Sequence, residues 1–149
     1  MAYVKIGSYP NARRLVALAP ELRPIPGPEI RYTTMHQAEI RSAYYPHLLG
    51  VFPSDEWIKC FLSIIWHNGS IEPHQDGDTQ LGGQRCQLVL QTNPDCWMLH
   101  GGVWQQLEED GIYTMDPLVP HASINWGHQP RVFFVVDIIP PAPDARKPS

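Results

Sequence analysis

From Trp57 onward the chain is a succession of short runs rich in β-branched and aromatic residues, cut at close intervals by turn formers. This rhythm constrains the fold more than any other feature. The runs are Lys59 to Trp66, Gln84 to Gln91, Cys96 to His100, Ile112 to Met115, His121 to Trp126 and Arg131 to Ile139. Between them lie His67-Asn-Gly-Ser, Asp76-Gly-Asp, Leu81-Gly-Gly, Asn93-Pro-Asp, His100-Gly-Gly, Glu109-Asp-Gly and Trp126-Gly-His-Gln-Pro. No helical pattern intervenes, so crossover helices and a parallel sheet are not expected. The spacing predicts antiparallel sheets closed into a sandwich or barrel, the class of jelly rolls and cupins.

The first 55 residues read differently. Proline-rich punctuation occupies Arg23-Pro-Ile-Pro-Gly-Pro28, and Thr34 to Leu49 is a candidate short helix stopping near Gly50. With 149 residues the chain is sized for one core. We expect a single domain: an N-terminal lid or support over 1–55, a β core over 56–139 and a frayed Pro-rich tail over 140–149. Sixteen prolines favour turns over long helices.

Composition narrows the function classes. Hydrophobic residues at 43% and charged residues at 17% give a globular balance. A net charge of −4, with 11 scattered Lys and Arg residues, offers no stripe for a nucleic acid backbone, so none is expected as a partner. No apolar run is long enough to span a bilayer, and the first residues lack a signal-peptide stretch, so a cytoplasmic location without membrane attachment is expected. Cys60, Cys86 and Cys96 are odd in number and lack CxxC spacing; we read them as small buried hydrophobes.

The sharpest local feature is His74-Gln75-Asp76, following an extended segment at the start of a Gly-rich loop. Residues two apart on extended chain share a face, so an imidazole and a carboxylate can converge on one ion. A His-x-Asp triplet alone is a common accident. His121 opens a late run, and in a jelly roll such a position can face the end of an early strand across the barrel mouth. Two imidazoles and one carboxylate with open coordination positions suit non-haem iron(II), leaving room for a bidentate 2-oxo acid and for O2. Arg131 begins the otherwise apolar run Arg131-Val-Phe-Phe-Val-Val-Asp137. Either it points to solvent at the strand's edge, or it faces inward and grips a carboxylate such as the far end of 2-oxoglutarate.

The text from Phe61-Leu-Ser-Ile-Ile-Trp-His-Asn-Gly-Ser-Ile-Glu-Pro-His-Gln-Asp76, through Gln84-Arg-Cys-Gln-Leu-Val-Leu90 and Tyr113-Thr-Met-Asp-Pro-Leu-Val-Pro-His121, to Pro130-Arg-Val-Phe-Phe-Val-Val-Asp137 resembles the aspartyl/asparaginyl β-hydroxylase family of iron(II)/2-oxoglutarate oxygenases. The resemblance covers about half the chain. It implies a double-stranded β-helix, with Fe(II), the co-substrate 2-oxoglutarate and O2 as its reagents. It implies His74 and His121 as iron ligands and Arg131 with Ser63 as the grip on the far carboxylate. Arg85 matches a second arginine near a co-substrate or substrate carboxylate, and Gln87 stands where the family often has histidine. Some members have glycine where this chain has Asp76; the carboxylate here is as in the wider superfamily, completing the set His74, Asp76 and His121.

The implied substrate is an amino-acid side chain, of Asp/Asn type in a protein or peptide, or else a free amino acid such as proline. A non-enzymatic cupin-like metal-binding module is the rival from another class; it accounts for the metal set but not for Arg131 and Ser63. The sequence leaves the oligomeric state open. His36, His47, His67, His100 and His128 read as surface or turn histidines, and Trp57, Trp66, Trp97, Trp104 and Trp126 as core rather than as the lining of a substrate cleft. Asp137 reads as a structural carboxylate, Asp78 as a loop residue, and Asn125 equally as structural or as reaching the site.

Overall fold

The computed structural model describes residues 2–18, 30–32, 37–77 and 79–141. His36, Asp78, the Pro-rich run 23–28 and the tail beyond 141 lie outside the described residues. Ten strands are present there: β1 Val4–Ser8, β2 Ile30–Tyr32, β3 Trp57–Ile65, β4 Gly69–His74, β5 Gln84–Gln91, β6 Cys96–His100, β7 Val103–Gln105, β8 Gly111–Thr114, β9 His121–Asn125 and β10 Arg131–Ile138. One helix, α1 Gln37–Leu48, and a 3-10 turn over Ala12–Leu18 precede the barrel. The strands form a six-stranded sheet in the order β1-β8-β5-β10-β3-β2 and a four-stranded sheet in the order β4-β9-β6-β7. All pairings are antiparallel. From β3 to β10 the chain passes back and forth between the two sheets, which is the winding of a double-stranded β-helix. No helix among the described residues is long and apolar enough to cross a membrane.

The central strands of the large sheet, β3, β5 and β10, are buried on both faces, and the period of two divides their residues into two sets. Cys60, Leu62 and Ile64 of β3, Cys86, Leu88 and Leu90 of β5, and Val132, Phe134, Val136 and Ile138 of β10 form the outer core with Ile40, Tyr44 and Leu48 of α1. This explains why β10 is nearly unbroken apolar text: each face has its own layer to fill. The Tyr44 hydroxyl, buried in that layer, donates to the Leu15 carbonyl at 2.8 Å and so ties α1 to the 3-10 turn. Gly50, at φ +76, ends α1 in the left-handed conformation, where the sequence placed the stop.

The opposite parity points between the sheets. Phe61, Val89, Phe133, Val135, Tyr113 and Met98 form an inner core, and the polar members of that parity are Ser63, Arg85, Gln87, Arg131 and Asp137, all buried. Their inward facing therefore follows from the same alternation that packs the outer layer.

The strands that the sequence did not announce, β1, β2, β4 and β7, are the four sheet edges. Edge strands have one neighbour and shed the apolar alternation that marks a central strand. All five residues of β1 are exposed, and β4 carries Pro73, which cannot donate to a ladder. Two further expectations change. Trp57 and Trp66 are core, but Trp97, Trp104 and Trp126 are exposed, the first two on the outer face of the small sheet. His100 is not a surface residue: it is fully buried, its Nε2 on the Asp116 carbonyl at 2.9 Å. The three cysteines are free and buried, as read.

Asn125 proves structural. Fully buried at the end of β9, it donates to the carbonyls of Ile65 and Gln129, both at 2.9 Å, and accepts from the Gly127 amide at 2.9 Å and from Asn93 at 3.1 Å. A Cβ at Gly127 would lie 2.1 Å from Asn93 Oδ1, so a side chain there would push Asn93 off its hydrogen bonds to Asn125 and Gln129. Asn125→Ala strands several buried backbone groups, and we predict a loss of about 2–4 kcal/mol of stability, read as a lower urea midpoint at unchanged slope.

Candidate metal centre

His74 is the last residue of β4 and His121 the first of β9, and they face each other directly in the ladder. They are therefore neighbours within one sheet, closer than the facing across the barrel mouth expected from sequence. A bulge makes this pairing. Ile71 opposes Ser123 and His74 opposes His121, so three steps on β4 match two on β9. The extra residue falls at Glu72-Pro73. In a regular ladder position 73 would oppose His121; the bulge puts His74 there instead.

Both rings are held by backbone carbonyls. His74 Nδ1 lies 2.8 Å from the Glu72 oxygen, and His121 Nδ1 lies 2.8 Å from the Val119 oxygen. A carbonyl only accepts, so each Nδ1 carries a proton, which leaves each Nε2 to donate to Asp76 while its ring is doubly protonated or to offer a lone pair to a bound cation. Those nitrogens face Asp76: His74 Nε2 is 3.4 Å from Oδ1 and His121 Nε2 is 3.1 Å from Oδ2. Asp76 is fixed in turn by its own amide, which donates to the Pro117 carbonyl at 2.9 Å. One ligand atom from each of the three residues lies within 4.8 Å of the others. Two imidazole nitrogens and a carboxylate on one side, with the remaining directions open to a cavity, are a donor set that fits a divalent transition metal. His100 stands in the same row, opposite His121 on β6, but its Nε2 is turned to Asp116.

Electrostatics reinforce the cluster. The hydrogen bond with His121, followed by the charge of Arg85, holds the Asp76 carboxyl below its ordinary range despite partial burial. For His121, burial works against the protonated ring, but the hydrogen bonds to Asp76 and Val119 and the Asp76 charge outweigh it and leave its pKa raised.

Arg85 and Asp137 sit directly opposite each other on β5 and β10. Arg85 Nε and Nη2 donate to the two Asp137 oxygens at 2.8 and 3.1 Å, a two-pronged buried pair, and Nη1 donates to Asp76 Oδ2 at 2.8 Å. The structure thus places Arg85 between a core carboxylate and the candidate metal-ligating carboxylate of Asp76, and Asp137 is structural as read.

The cluster opens on a cavity of about 330 Å³ between the sheets. Arg131 lines it with only 1% of its surface exposed, so the solvent-facing alternative is wrong. Its Nη2 donates to Ser63 Oγ at 2.5 Å, and its guanidinium carbon lies 3.8 Å from the centre of the Phe133 ring. Along β10 the inward residues run Arg131, Phe133, Val135, Asp137, so a cationic level at one end is separated from the Arg85–Asp76 level by two apolar residues. Gln87 lies opposite Val135 on that middle level, and its Oε1 has no hydrogen-bond partner among the described residues.

Sequence reasoning missed Tyr3. Just ahead of β1, it lines the cavity at 5% exposure, with its ring 5.3 Å from that of His100. Burial, with a smaller push from Asp76, raises its pKa to about 12 against the opposing pull of Arg131, Arg85 and Gln87. It is a protonated hydroxyl at neutral pH. The exposed text of β1 gives no signal for it.

A family model described as aspartyl/asparaginyl beta-hydroxylase matches residues 35–141. No curated protein sequence gives a significant match. Among solved structures, the chain is similar to an uncharacterized conserved protein with a double-stranded beta-helix domain from Klebsiella pneumoniae, at 16% identity over 81% of this chain and 85% of that one, TM-score 0.49. It is also similar to a cupin domain from Bordetella pertussis, at 20% identity over 58% and 85%, TM-score 0.45. A cupin domain of an XRE-family transcriptional regulator from Enterobacter cloacae matches at 19% identity over 56% and 82%, TM-score 0.44. With 107 consecutive residues, 35–141, under that one family model, the chain belongs to the aspartyl/asparaginyl β-hydroxylase family.

Proposed function

We propose that the protein is an iron(II)- and 2-oxoglutarate-dependent hydroxylase whose target is an amino-acid side chain, of Asp/Asn type in a protein or peptide. The observation that carries this reading is a His-Asp-His group at the open side of a cavity that also holds a buried arginine and serine. A metal-binding module has no use for that second, cationic level.

In this reading His74, Asp76 and His121 hold the metal. Bound there, iron(II) supplies the redox chemistry by which O2 converts 2-oxoglutarate to succinate and carbon dioxide while the second oxygen atom enters a C–H bond of the substrate. Arg131 and Ser63 take the far carboxylate of 2-oxoglutarate, with parallel hydrogen bonds that a planar guanidinium is shaped to give. Phe133 and Val135 flank its methylene groups and keep water from the middle of the cavity. Arg85, braced by Asp137, fixes the orientation of Asp76 from behind, as outer partners of metal ligands do. The protein's contribution is thus positioning and electrostatics. The three buried free thiols support a reducing, cytoplasmic setting.

The direct test is succinate release from 2-oxoglutarate under air, with candidate peptides and free amino acids offered in parallel and their masses compared. Turnover that requires iron(II), stops with a chelator and is not restored by zinc is expected; zinc retention with no turnover on any substrate contradicts the reading. His121→Ala is predicted to weaken metal binding by roughly 100-fold or more and to remove turnover, while leaving the fold intact by circular dichroism. Arg131→Met is predicted to raise the KM for 2-oxoglutarate roughly 100-fold with little loss of stability, because apolar replacement of a buried ion is commonly tolerated. Unchanged KM there would remove Arg131 from the co-substrate site.

A further inference from the structure

Two polar residues that line the cavity, Tyr3 and Gln87, stand outside both the His74–Asp76–His121 group and the Arg131–Ser63 pair. Gln87 is 7% exposed, faces inward at the middle level, and has an Oε1 without a hydrogen-bond partner among the described residues. Beside its amide lies the Tyr3 hydroxyl. Tyr3 comes from outside the family-matched segment, which begins at residue 35. It is nevertheless held in place with care. Gln105 clamps its backbone, accepting from the Tyr3 amide at 3.0 Å and donating to its carbonyl at 3.4 Å. β1 continues the anchoring by pairing with β8, from Val4 opposite Thr114 to Ser8 opposite Gly111. Its ring packs on His100, which opposes the candidate ligand His121.

A solvent-exposed edge strand therefore delivers one buried residue, and that residue ends in a hydroxyl inside the cavity. Its surroundings are charged: Arg131, Asp76 and Arg85 all act on it. A simple packing role is met as well by phenylalanine, which avoids the cost of desolvating a hydroxyl. The hydroxyl is accounted for if an anion comes to rest beside it. Arg85 makes three hydrogen bonds to Asp76 and Asp137, and Ser123 donates to Met98 Sδ, which leaves Tyr3 and Gln87 as polar lining groups that can meet a ligand between the Arg131 level and the His74–Asp76–His121 group.

We propose that Tyr3 is a co-substrate-binding residue: its hydroxyl donates a hydrogen bond to the 2-oxo-acid end of the dicarboxylate, while the Gln87 amide steadies the phenolic oxygen. The N-terminal strand thereby completes a site that the family-matched segment leaves open on one side. This rests on the proposed 2-oxoglutarate dependence.

The test uses the full chain loaded with manganese(II) under nitrogen, with 2-oxoglutarate binding followed by calorimetry. Tyr3→Phe keeps the ring on His100 and removes only the hydroxyl. Its Kd for 2-oxoglutarate is expected to rise about tenfold, the effect of one hydrogen bond to a charged group, with manganese affinity and urea midpoint unchanged. An unchanged Kd in the variant, beside tight binding in the parent, overturns the role of Tyr3 and leaves the oxygenase reading standing. A Kd that rises only in step with weaker manganese binding also overturns it, since Tyr3 then acts through His100 and the metal group. A parent protein that holds manganese but not 2-oxoglutarate overturns both.

Discussion

The Arg85 guanidinium, shared between Asp137 in the core and Asp76 at the candidate metal-binding group, is the interaction on which the architecture of the site depends. Arg85 and Asp137 are taken out of water there while Asp76 stays about a third exposed, with 34% of its side-chain surface accessible, and an isolated charge in the place of either buried group would cost several kcal/mol. The pairing offsets this only because each partner is fixed independently. Cross-strand register sets Asp137 against Arg85, and the Pro117 carbonyl holds the backbone of Asp76. Such an arrangement stabilises one orientation of Asp76 more than it stabilises the fold as a whole.

That chain of contacts also shows how a barrel built for packing becomes one built for chemistry. On β3, β5 and β10 one parity is spent on the layer under α1, and the other is free to vary so long as the space between the sheets is filled. Ser63, Arg85, Gln87, Arg131 and Asp137 all use that freedom. The small sheet contributes differently. Its edge strand is bulged at Glu72-Pro73, and the one-residue slip brings His74 into line with His121. Local irregularity on an edge, where a ladder bond is cheap to lose, sets up the donor group; regular alternation in the centre sets up the rest.

This division explains what could be read from the sequence. The central strands carry continuous apolar runs or clean alternation between turn formers, so β3, β5, β6, β8, β9 and β10 were legible almost to their ends. The edges were not, because exposure on one or both faces removes the pattern, as in β1, and short length or proline breaks it, as in β7 and β4. Within the candidate site, the convergence of His74, Asp76 and His121 was legible from spacing and from the family resemblance. The bulge that produces it was not, since register is a property of two strands. Arg131 was ambiguous from sequence for the same reason: strand parity decides inside or outside, and only the packing of Val132, Phe134 and Val136 against α1 fixes the parity. Tyr3 was invisible, because its burial depends on a distant pairing with β8 and on the Gln105 clamp.

The account stands or falls on whether one ligand bridges the two charged levels of the cavity. A crystal structure of the protein grown with manganese(II) and 2-oxoglutarate under nitrogen measures this directly. The account predicts the metal on His74 Nε2, Asp76 and His121 Nε2, with the far carboxylate of 2-oxoglutarate on Arg131 and Ser63. A metal held elsewhere, or 2-oxoglutarate absent from the cavity while the metal occupies that group, contradicts it.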